Sequence, residues 1–389
     1  MKYKITSIIM VIFVFCGLLA FFKGASDHIK ADFNQEEMSP AVLYDIYESV
    51  KEKDGEYLSG KQYVVYFNGA CQGLMGKKCI IDPGYKVAKL DNGYLAYAVL
   101  STDNYQRDYD KFAEKLNRLE KQLNKNGINL TFSNVIERNP LYDLKMPYKY
   151  LTVDQSITEL PDLLSKKGMS AVNMMNIIQN SDIDHYSLFY KTDHHWNVYG
   201  GFYAAQILID ALGYETDEQI HDISSYTAAN TENCFLGSLG RRVGPIYGGL
   251  DDFAVLYPKF ETSLTVTTYD EVRSGDFANS VIFKEHLPQK SGCITTASYA
   301  AFLGGDFGLQ TVKNHMCNNG KKVLLLRDSY GGAVSPYLAL ACEELHIIDM
   351  RHYDGLPIAE YAAQMGIDDV VIMYNSGSLT NRCFNFDME

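Results

Sequence analysis

The C-terminal part of the chain alternates between apolar runs and amphipathic stretches. Buried strands are predicted at 321–326 (KKVLLL), 346–349 (HIID) and 368–374 (DDVVIMY), with helices at 333–345 and 358–365. Strands that alternate with helices build a parallel sheet with helices on its faces. The pattern therefore predicts an α/β domain.

The preceding part of the chain begins with a similar pattern. A strand is predicted at 94–100, and a helix follows because apolar residues recur at intervals of three and four. Those residues are Tyr109, Phe112, Leu116, Leu119 and Leu123. The helix is expected to end at Asn126 and Gly127, and a strand is predicted at 128–135. This order predicts a β-α-β unit.

Residues 214–320, between these parts, are rich in Gly, Thr, Ser and Asp. We expect loops and small strands there, placed over one edge of the sheet. One domain at 61–389 with this segment inserted is the simplest organisation, and two domains are the alternative.

Residues 1–24 read as a membrane anchor. Lys2 and Lys4 precede an apolar run from Ile5 to Phe22 that is long enough to cross a bilayer, and no clear cleavage site follows. Positive charge on the short N-terminal side places the rest of the chain outside the cytoplasm. We predict a single-pass protein of the cell membrane with a stalk at 25–60, and secretion after cleavage is the alternative.

The net charge limits the possible partners of the protein, and the cysteine content limits its possible disulfides. A formal net charge of −13 argues against a nucleic-acid partner, which requires a basic surface. Apart from Cys16 in the anchor, seven cysteines remain, and Cys71 with Cys79 and Cys293 with Cys317 are candidate disulfides. Sequence spacing does not fix their connectivity.

A candidate nucleophile lies where the strand at 321–326 ends. In VLLLRDSYGG, Ser329 follows the apolar run and precedes two glycines and the predicted helix. Chemistry in α/β sheets occurs at the carboxyl ends of strands, where N–H groups at a helix N-terminus can stabilise an oxyanion. The alternative is that Ser329 caps the helix. Asp328 is expected to form the turn through an Asx-type bond.

A serine nucleophile needs a base and a group that orients the base. The segment DHHW, residues 193–196, offers both. In an extended backbone Asp193 and His195 share one face, so that Asp193 orients the ring and its other nitrogen takes the serine proton. His194 and Trp196 then point away, and we expect a packing or hydrogen-bonding role for His194.

A metal site is the competing interpretation of this region. Potential ligands within twelve residues are Asp184, His185, Asp193, His194 and His195. Adjacent histidines on a strand diverge, however, and no helical HxxxH pair or cysteine partner accompanies them. We expect neither a metal nor another cofactor.

With both motifs in place, the chain resembles the DHHW proteins. These belong to the SGNH-hydrolase-like group, which includes acetyltransferases of alginate and other exported polysaccharides. Further similar blocks, in the same order, are FLGSLGRRVG (235–244), SYAAFLGGD (298–306), HIIDMRHYDG (346–355) and VVIMYNSGSL (370–379). The resemblance extends over roughly 93–380, and NLTFSNVIERNP at 129–140 departs from it.

The resemblance implies a flavodoxin-like three-layer α/β/α sandwich and a triad of Ser329, His195 and Asp193. The implied reaction is transfer of an acyl group, usually acetyl, to or from a polysaccharide hydroxyl. A polytopic membrane acyltransferase often supplies the acyl donor. An esterase with water as acceptor and a non-catalytic polysaccharide-binding scaffold are the alternatives.

Candidates for binding the oxyanion or the substrate are less well defined. The backbone N–H groups of Ser329 and Tyr330 are the first candidates. Asn375 and Arg327 are further candidate ligands, and Trp196 is a candidate substrate contact.

Overall fold

The computed structural model describes residues 61–82, 85–97, 99–100, 108–138, 150–151, 158–288 and 298–388 of the 389-residue chain. The predicted anchor at 1–24 and stalk at 25–60 lie outside these residues. Among the described residues, no helix is long and apolar enough to cross a membrane. They divide into two compact units, one of residues 61–80 and 241–247 and one of residues 81–240 and 248–388.

The smaller unit is built on helix α1 (Lys61–Leu74). Gly69 of this helix approaches Val243 so closely that a Cβ atom would lie 1.6 Å from the carbonyl oxygen, and only glycine fits there. The Tyr247 hydroxyl donates a hydrogen bond to the Lys77 carbonyl at 3.0 Å.

Short strands and helices follow α1 along the chain. The strands are β1 (Cys79–Asp82), β2 (Tyr85–Lys89), β3 (Leu95–Tyr97), β4 (Val99–Leu100), β5 (Asn129–Asn134), β6 (Tyr150–Leu151), β7 (Ala171–Val172), β8 (Tyr226–Phe235), β9 (Asp251–Pro258), β10 (Leu264–Thr267), β11 (Val272–Gly275), β12 (Leu309–Asn314), β13 (Lys322–Arg327), β14 (Glu344–Ile348) and β15 (Asp369–Tyr374). The helices are α2 (Tyr109–Asn124), α3 (Glu159–Lys166), α4 (Met174–Gln179), α5 (Val198–Leu212), α6 (Glu218–His221), α7 (Ser238–Val243), α8 (Pro245–Gly248), α9 (Phe277–Ser280), α10 (Ser335–Leu338) and α11 (Ile358–Met365).

The main sheet has the strand order β11-β10-β12-β14-β13-β15-β5-β7. The strands from β14 to β7 are parallel, whereas β12, β10 and β11 join antiparallel at one edge. The prediction of a parallel sheet is therefore wrong at this edge. Residues 268–271 connect β10 to β11, and so short a hairpin connection allows only antiparallel pairing.

Both faces of the sheet are buried, as the side chains of β13 show. Val323 and Leu325 pack in a core that includes residues of α5 and α10. Leu324 and Leu326 point to the other face and pack with residues of α2 and α11. The predicted α/β fold is confirmed, with helices on both faces of a mixed sheet.

Two amphipathic helices, α2 and α11, agree with their predicted positions. Helix α2 begins after Asp108, which caps it, and the chain turns at Gly127 with a φ of 71°. Helix α11 spans the predicted residues 358–365. The prediction of a β-α-β unit is wrong for its first strand. In that region β3 pairs antiparallel with β2, and β4 pairs antiparallel with β6, and neither pair belongs to the main sheet.

The predicted helix at 333–345 is also wrong. Ser329–Gly332 form a 3₁₀ turn, α10 is only four residues long, and Leu345 pairs with Val323 in the sheet. Proline has no N–H group, so Pro336 fits only the first turn of a helix and interrupts a longer one. Ser329 is therefore the first residue of a short turn and does not precede a long helix.

The candidate disulfides have different outcomes. Among the cysteines that the structure describes there is no disulfide, so the pairing of Cys71 with Cys79 is wrong. Cys293 lies outside the described residues, and its pairing with Cys317 stays a prediction.

Candidate active site

Ser329 lies at the carboxyl end of β13, at the start of the 3₁₀ turn. The turn is capped by Asp328, whose Oδ1 accepts from the Tyr330 N–H at 3.0 Å and whose Oδ2 accepts from the Asn375 N–H at 2.7 Å. The predicted Asx-type bond of Asp328 is confirmed. Because Asp328 is the cap, the alternative capping role of Ser329 is wrong.

The hydroxyl of Ser329 contacts His195, which in turn contacts Asp193. The Ser329 Oγ lies 2.7 Å from His195 Nε2, and His195 Nδ1 lies 2.7 Å from Asp193 Oδ1. A carboxylate accepts hydrogen bonds, so Nδ1 carries the proton that is donated to Asp193. His195 Nε2 is then the acceptor for the serine proton. The structure thus brings together three groups that are up to 136 residues apart.

Asp193 is buried, with 4 % of its surface exposed, yet its environment favours the charged form. Burial by itself would raise the pKa of Asp193, but the charge of His195 and its hydrogen bonds outweigh that effect and hold the pKa well below its usual range. Asp193 Oδ2 also accepts from the Ser238 N–H at 2.6 Å. Asp193 is therefore a carboxylate at neutral pH and can orient the ring of His195.

The loop that carries Asp193 and His195 is held by hydrogen bonds to its carbonyl groups. Their donors are the Arg138 guanidinium for Tyr190 and Asp193, the Leu95 N–H for Lys191, the Gly240 N–H for Thr192 and the Tyr330 hydroxyl for His194. The side chain of Asp251 accepts from the N–H groups of Lys191 and Thr192 at 2.7 and 2.8 Å. The loop is a bend fixed by neighbouring segments, so the extended backbone from which we argued that Asp193 and His195 share one face is not present.

His194 does not point away from His195, contrary to the prediction. The two ring centroids are 3.8 Å apart, and His194 Nδ1 lies 2.7 Å from the Ser238 hydroxyl. Ligand atoms of Asp193, His194 and His195 lie within 4.8 Å of one another. The divergence argument against a metal is therefore wrong, and the expectation of no metal stays a prediction.

The oxyanion and substrate candidates have different outcomes. Trp196 is fully buried and donates from Nε1 to the Tyr330 carbonyl at 3.0 Å, so the predicted substrate contact is wrong. The Tyr330 N–H is bound to Asp328, so it is not an oxyanion donor. Arg327 is 1 % exposed, and its Nη groups contact Asp306 and the Gly305 carbonyl, so its predicted role is wrong as well.

Two of the predicted donors are not engaged in other hydrogen bonds among the described residues. Among the described residues, the Ser329 backbone N–H has no hydrogen-bond partner. Asn375 is half-buried, and its Oδ1 accepts from the Gly377 and Ser378 N–H groups, which leaves its Nδ2 group as the available donor. Both residues stay candidates.

Several residues that hold the site were missed by the sequence analysis. They are Arg138, Gly237, Ser238, Asp251 and Tyr299. The block FLGSLG contained a local signal for Gly237 and Ser238, since its small residues permit a close approach between segments. Tyr299 lies in the block SYAAFLGGD, which gave no signal for its role.

Gly237 of that block packs directly against Asp193. A Cβ atom at Gly237 would lie 2.3 Å from Asp193 Cβ and 2.6 Å from its backbone nitrogen. The Gly237 N–H also donates to the Thr192 hydroxyl at 2.9 Å. A residue with a side chain at this position must displace Asp193.

We expect Gly237→Ala to lower kcat about 100-fold, since displacement of a catalytic group by about 1 Å has an effect of this size. The measurement is hydrolysis of 4-nitrophenyl acetate by the purified variant. Gly213→Ala is the matched control: Gly213 ends α5 with a φ of 66° and has open space around it, so that change reduces stability only. Equal kcat values for the two variants would contradict the positioning role of Gly237.

Comparison with known proteins supports the predicted resemblance. Residues 94–248 match the family model described as SGNH hydrolase-like domain, acetyltransferase AlgX. We found no curated protein with a significantly similar sequence.

Two solved structures share the fold. A DHHW family protein from Eubacterium siraeum is 20% identical, with a TM-score of 0.59 over 79% of this chain and 96% of its own. Bacillus cereus PatB1, solved with a sulfonyl adduct, is 21% identical, with a TM-score of 0.62 over 79% of this chain and 99% of its own. The resemblance to the SGNH-hydrolase-like group is therefore confirmed.

Proposed function

We propose that this chain is an O-acyltransferase that moves an acyl group, most simply acetyl, to or from a hydroxyl of a polysaccharide. The observation that carries the proposal is the pair of 2.7 Å contacts from Ser329 Oγ to His195 and from His195 to Asp193. The match of residues 94–248 to a domain described as an acetyltransferase supports the same reaction class.

In the first half-reaction His195 Nε2 takes the proton of the Ser329 hydroxyl. The Ser329 Oγ forms a bond to the acyl carbon, and the carbonyl oxygen becomes an oxyanion. The carbonyl bond then re-forms, the bond to the leaving oxygen breaks, and His195 returns its proton to that oxygen. The product is an acyl-enzyme at Ser329. Asp193 keeps the Nδ1–H in place and stabilises the imidazolium.

The oxyanion needs donors that are in place before the charge develops. The Ser329 N–H and the Asn375 amide nitrogen are the groups that we assign to this role. The four-residue turn that begins at Ser329 supplies little of the helix dipole that the sequence had led us to expect.

In the second half-reaction a sugar hydroxyl replaces the leaving group. His195 takes its proton, the sugar oxygen attacks the acyl carbon, and Ser329 leaves as the restored hydroxyl. Water in place of the sugar gives an esterase, and the choice depends on how the site binds the acceptor and excludes water.

The location and partners of the protein are part of the proposal. The proposed anchor at 1–24, with Lys2 and Lys4 in the short segment before its apolar run, would place the domain outside the cytoplasm. An acyl donor would then have to cross or be passed through the membrane, which is the task of a polytopic acyltransferase. The polysaccharide is the acceptor in this arrangement.

The test uses 4-nitrophenyl acetate as donor and a panel of short neutral and acidic oligosaccharides as acceptors. We expect mass spectrometry to find an acetyl group on Ser329 and then on one of the oligosaccharides. If acetate is released and none of the oligosaccharides becomes acetylated, the result favours the esterase. Binding of an oligosaccharide without any turnover favours the scaffold and contradicts the proposal.

A further inference from the structure

Tyr299 lies face to face with the ring of His195. The two ring centroids are 4.1 Å apart and the planes are inclined by only 12°. Asp193 and Ser329 contact the edge of the imidazole through its two nitrogens, whereas Tyr299 covers one of its faces. The three residues therefore contact different parts of the same ring.

Tyr299 is itself held in place from several sides. Its hydroxyl donates to the Tyr330 carbonyl at 3.2 Å, and the Trp196 Nε1–H donates to the same oxygen at 3.0 Å. Its backbone belongs to the 3₁₀ turn Ser298–Ala301, and the Phe283 N–H donates to the Ala301 carbonyl at 2.8 Å. The ring is therefore a fixed surface and not a freely rotating side chain.

The chemistry of Tyr299 argues against a role in proton transfer. Burial, followed by the nearby charge of Asp193, raises the pKa of its hydroxyl well above 10, so the group stays neutral. The hydroxyl proton is already donated to a backbone carbonyl. What Tyr299 presents to His195 is the electron-rich face of its ring.

We propose that Tyr299 is a positioning residue that holds the His195 imidazole toward Ser329 and stabilises its protonated form during acyl transfer. This inference rests on the proposed function, because in that reaction the serine proton passes to His195 Nε2. The face of an aromatic ring attracts a cation within about 6 Å of its centroid. The contact also prevents rotation of the imidazole, which would take Nε2 away from the Ser329 hydroxyl.

The first test compares Tyr299→Phe with Tyr299→Leu. Phenylalanine keeps the ring, whereas leucine removes it at similar bulk. We expect the kcat of Tyr299→Phe to stay within about threefold of wild type and the kcat of Tyr299→Leu to fall about tenfold.

The second readout is the rate at which phenylmethylsulfonyl fluoride modifies Ser329. In that reaction Oγ bonds to sulfur, fluoride leaves, and the serine proton passes to His195 and then to solvent.

The decisive test replaces Tyr299 by phenylalanines with increasing numbers of ring fluorines. Fluorine withdraws electron density from the ring face, so we expect the rate of Ser329 modification to fall with each addition. A merely steric role does not predict this dependence. The same series at Phe302 is the control, because that ring meets Tyr299 edge-on at 5.8 Å, whereas the described rings in contact with His195 are those of His194, Tyr299 and Tyr330.

The outcomes separate this inference from the function on which it rests. The positioning role is overturned if the rate of Ser329 modification does not change with the number of ring fluorines at position 299. It is also overturned if Tyr299→Phe and Tyr299→Leu react at equal rates. In both cases Ser329 still reacts, so the proposed function stands. Wild-type protein that is never modified at Ser329 overturns the proposed nucleophile itself.

Discussion

Ser329→Ala is expected to lower acyl turnover by about 10⁴-fold or more, because the variant has no atom that can form the acyl-enzyme. The remaining groups, His195 and Asp193, can then at best assist a direct attack by water. The measurement is the release of 4-nitrophenol and acetate under single-turnover conditions, with mass spectrometry for the acetylated protein. We expect the burst of 4-nitrophenol to disappear together with the covalent intermediate.

The matched control for this variant is Ser298→Ala. Ser298 is fully buried, and among the described residues its hydroxyl has no hydrogen-bond partner, so its removal leaves no other group unpaired. Turnover should stay close to the wild-type value. A Ser329→Ala variant that keeps more than a tenth of the wild-type turnover would remove Ser329 from the mechanism.

The position of Ser329 could be predicted from sequence because the relevant signals are local. An apolar run predicts a buried strand, and DSYGG after it predicts a turn, so the residue at the junction lies at the carboxyl edge of the sheet. The contact with His195 was predicted from chemistry, since DHHW was the segment that offered a base and an acid together.

The surroundings of these residues could not be predicted in the same way. Trp196 and Arg327 lie within or beside the motifs, but the burial that removes them from the substrate is set by packing between distant segments. Arg138 lies in the segment at 129–140 that departs from the resemblance, and Asp251 lies outside every motif that we identified. Both act because the fold brings them to the loop at 190–195. Tertiary contacts of this kind leave no periodic signal.

The errors in the fold have the same origin. The segment at 333–345 is apolar enough for a helix, yet Leu345 gains more by pairing in the sheet beside Val323. The strands β10 and β11 have four residues each, and only their pairing in the sheet distinguishes them from loops.

Asp193→Asn is expected to lower kcat by about 10⁴-fold while leaving the fold intact. Both carboxylate oxygens of Asp193 accept hydrogen bonds, Oδ1 from the N–H groups of His195 and Oδ2 from the Ser238 N–H. Asparagine has one acceptor oxygen, so its NH₂ group must face either Ser238 or His195. If the NH₂ group faces His195, it donates to Nδ1 and favours the tautomer with the proton on Nε2. His195 Nε2 then cannot accept the serine proton.

The effect of pH on stability provides an independent check of the charge on Asp193. Its pKa in the folded protein lies below the value of about 3.9 for an unfolded chain, so its contribution to stability is present above that pH and is lost as the pH falls. We expect a clear difference in unfolding free energy between wild type and Asp193→Asn at about pH 5. It should narrow at about pH 3, as measured by urea unfolding.

Asp251→Asn is the control that makes the same chemical change in a neighbouring buried carboxyl. Burial raises the pKa of Asp251, and its oxygens bind Lys191 and Thr192 rather than His195. A neutral amide is therefore tolerated better at position 251 than at position 193. We expect Asp251→Asn to lower thermal stability more than it lowers kcat. If Asp193→Asn and Asp251→Asn reduce kcat equally, Asp193 supports the loop only, and the orientation of His195 must have another source.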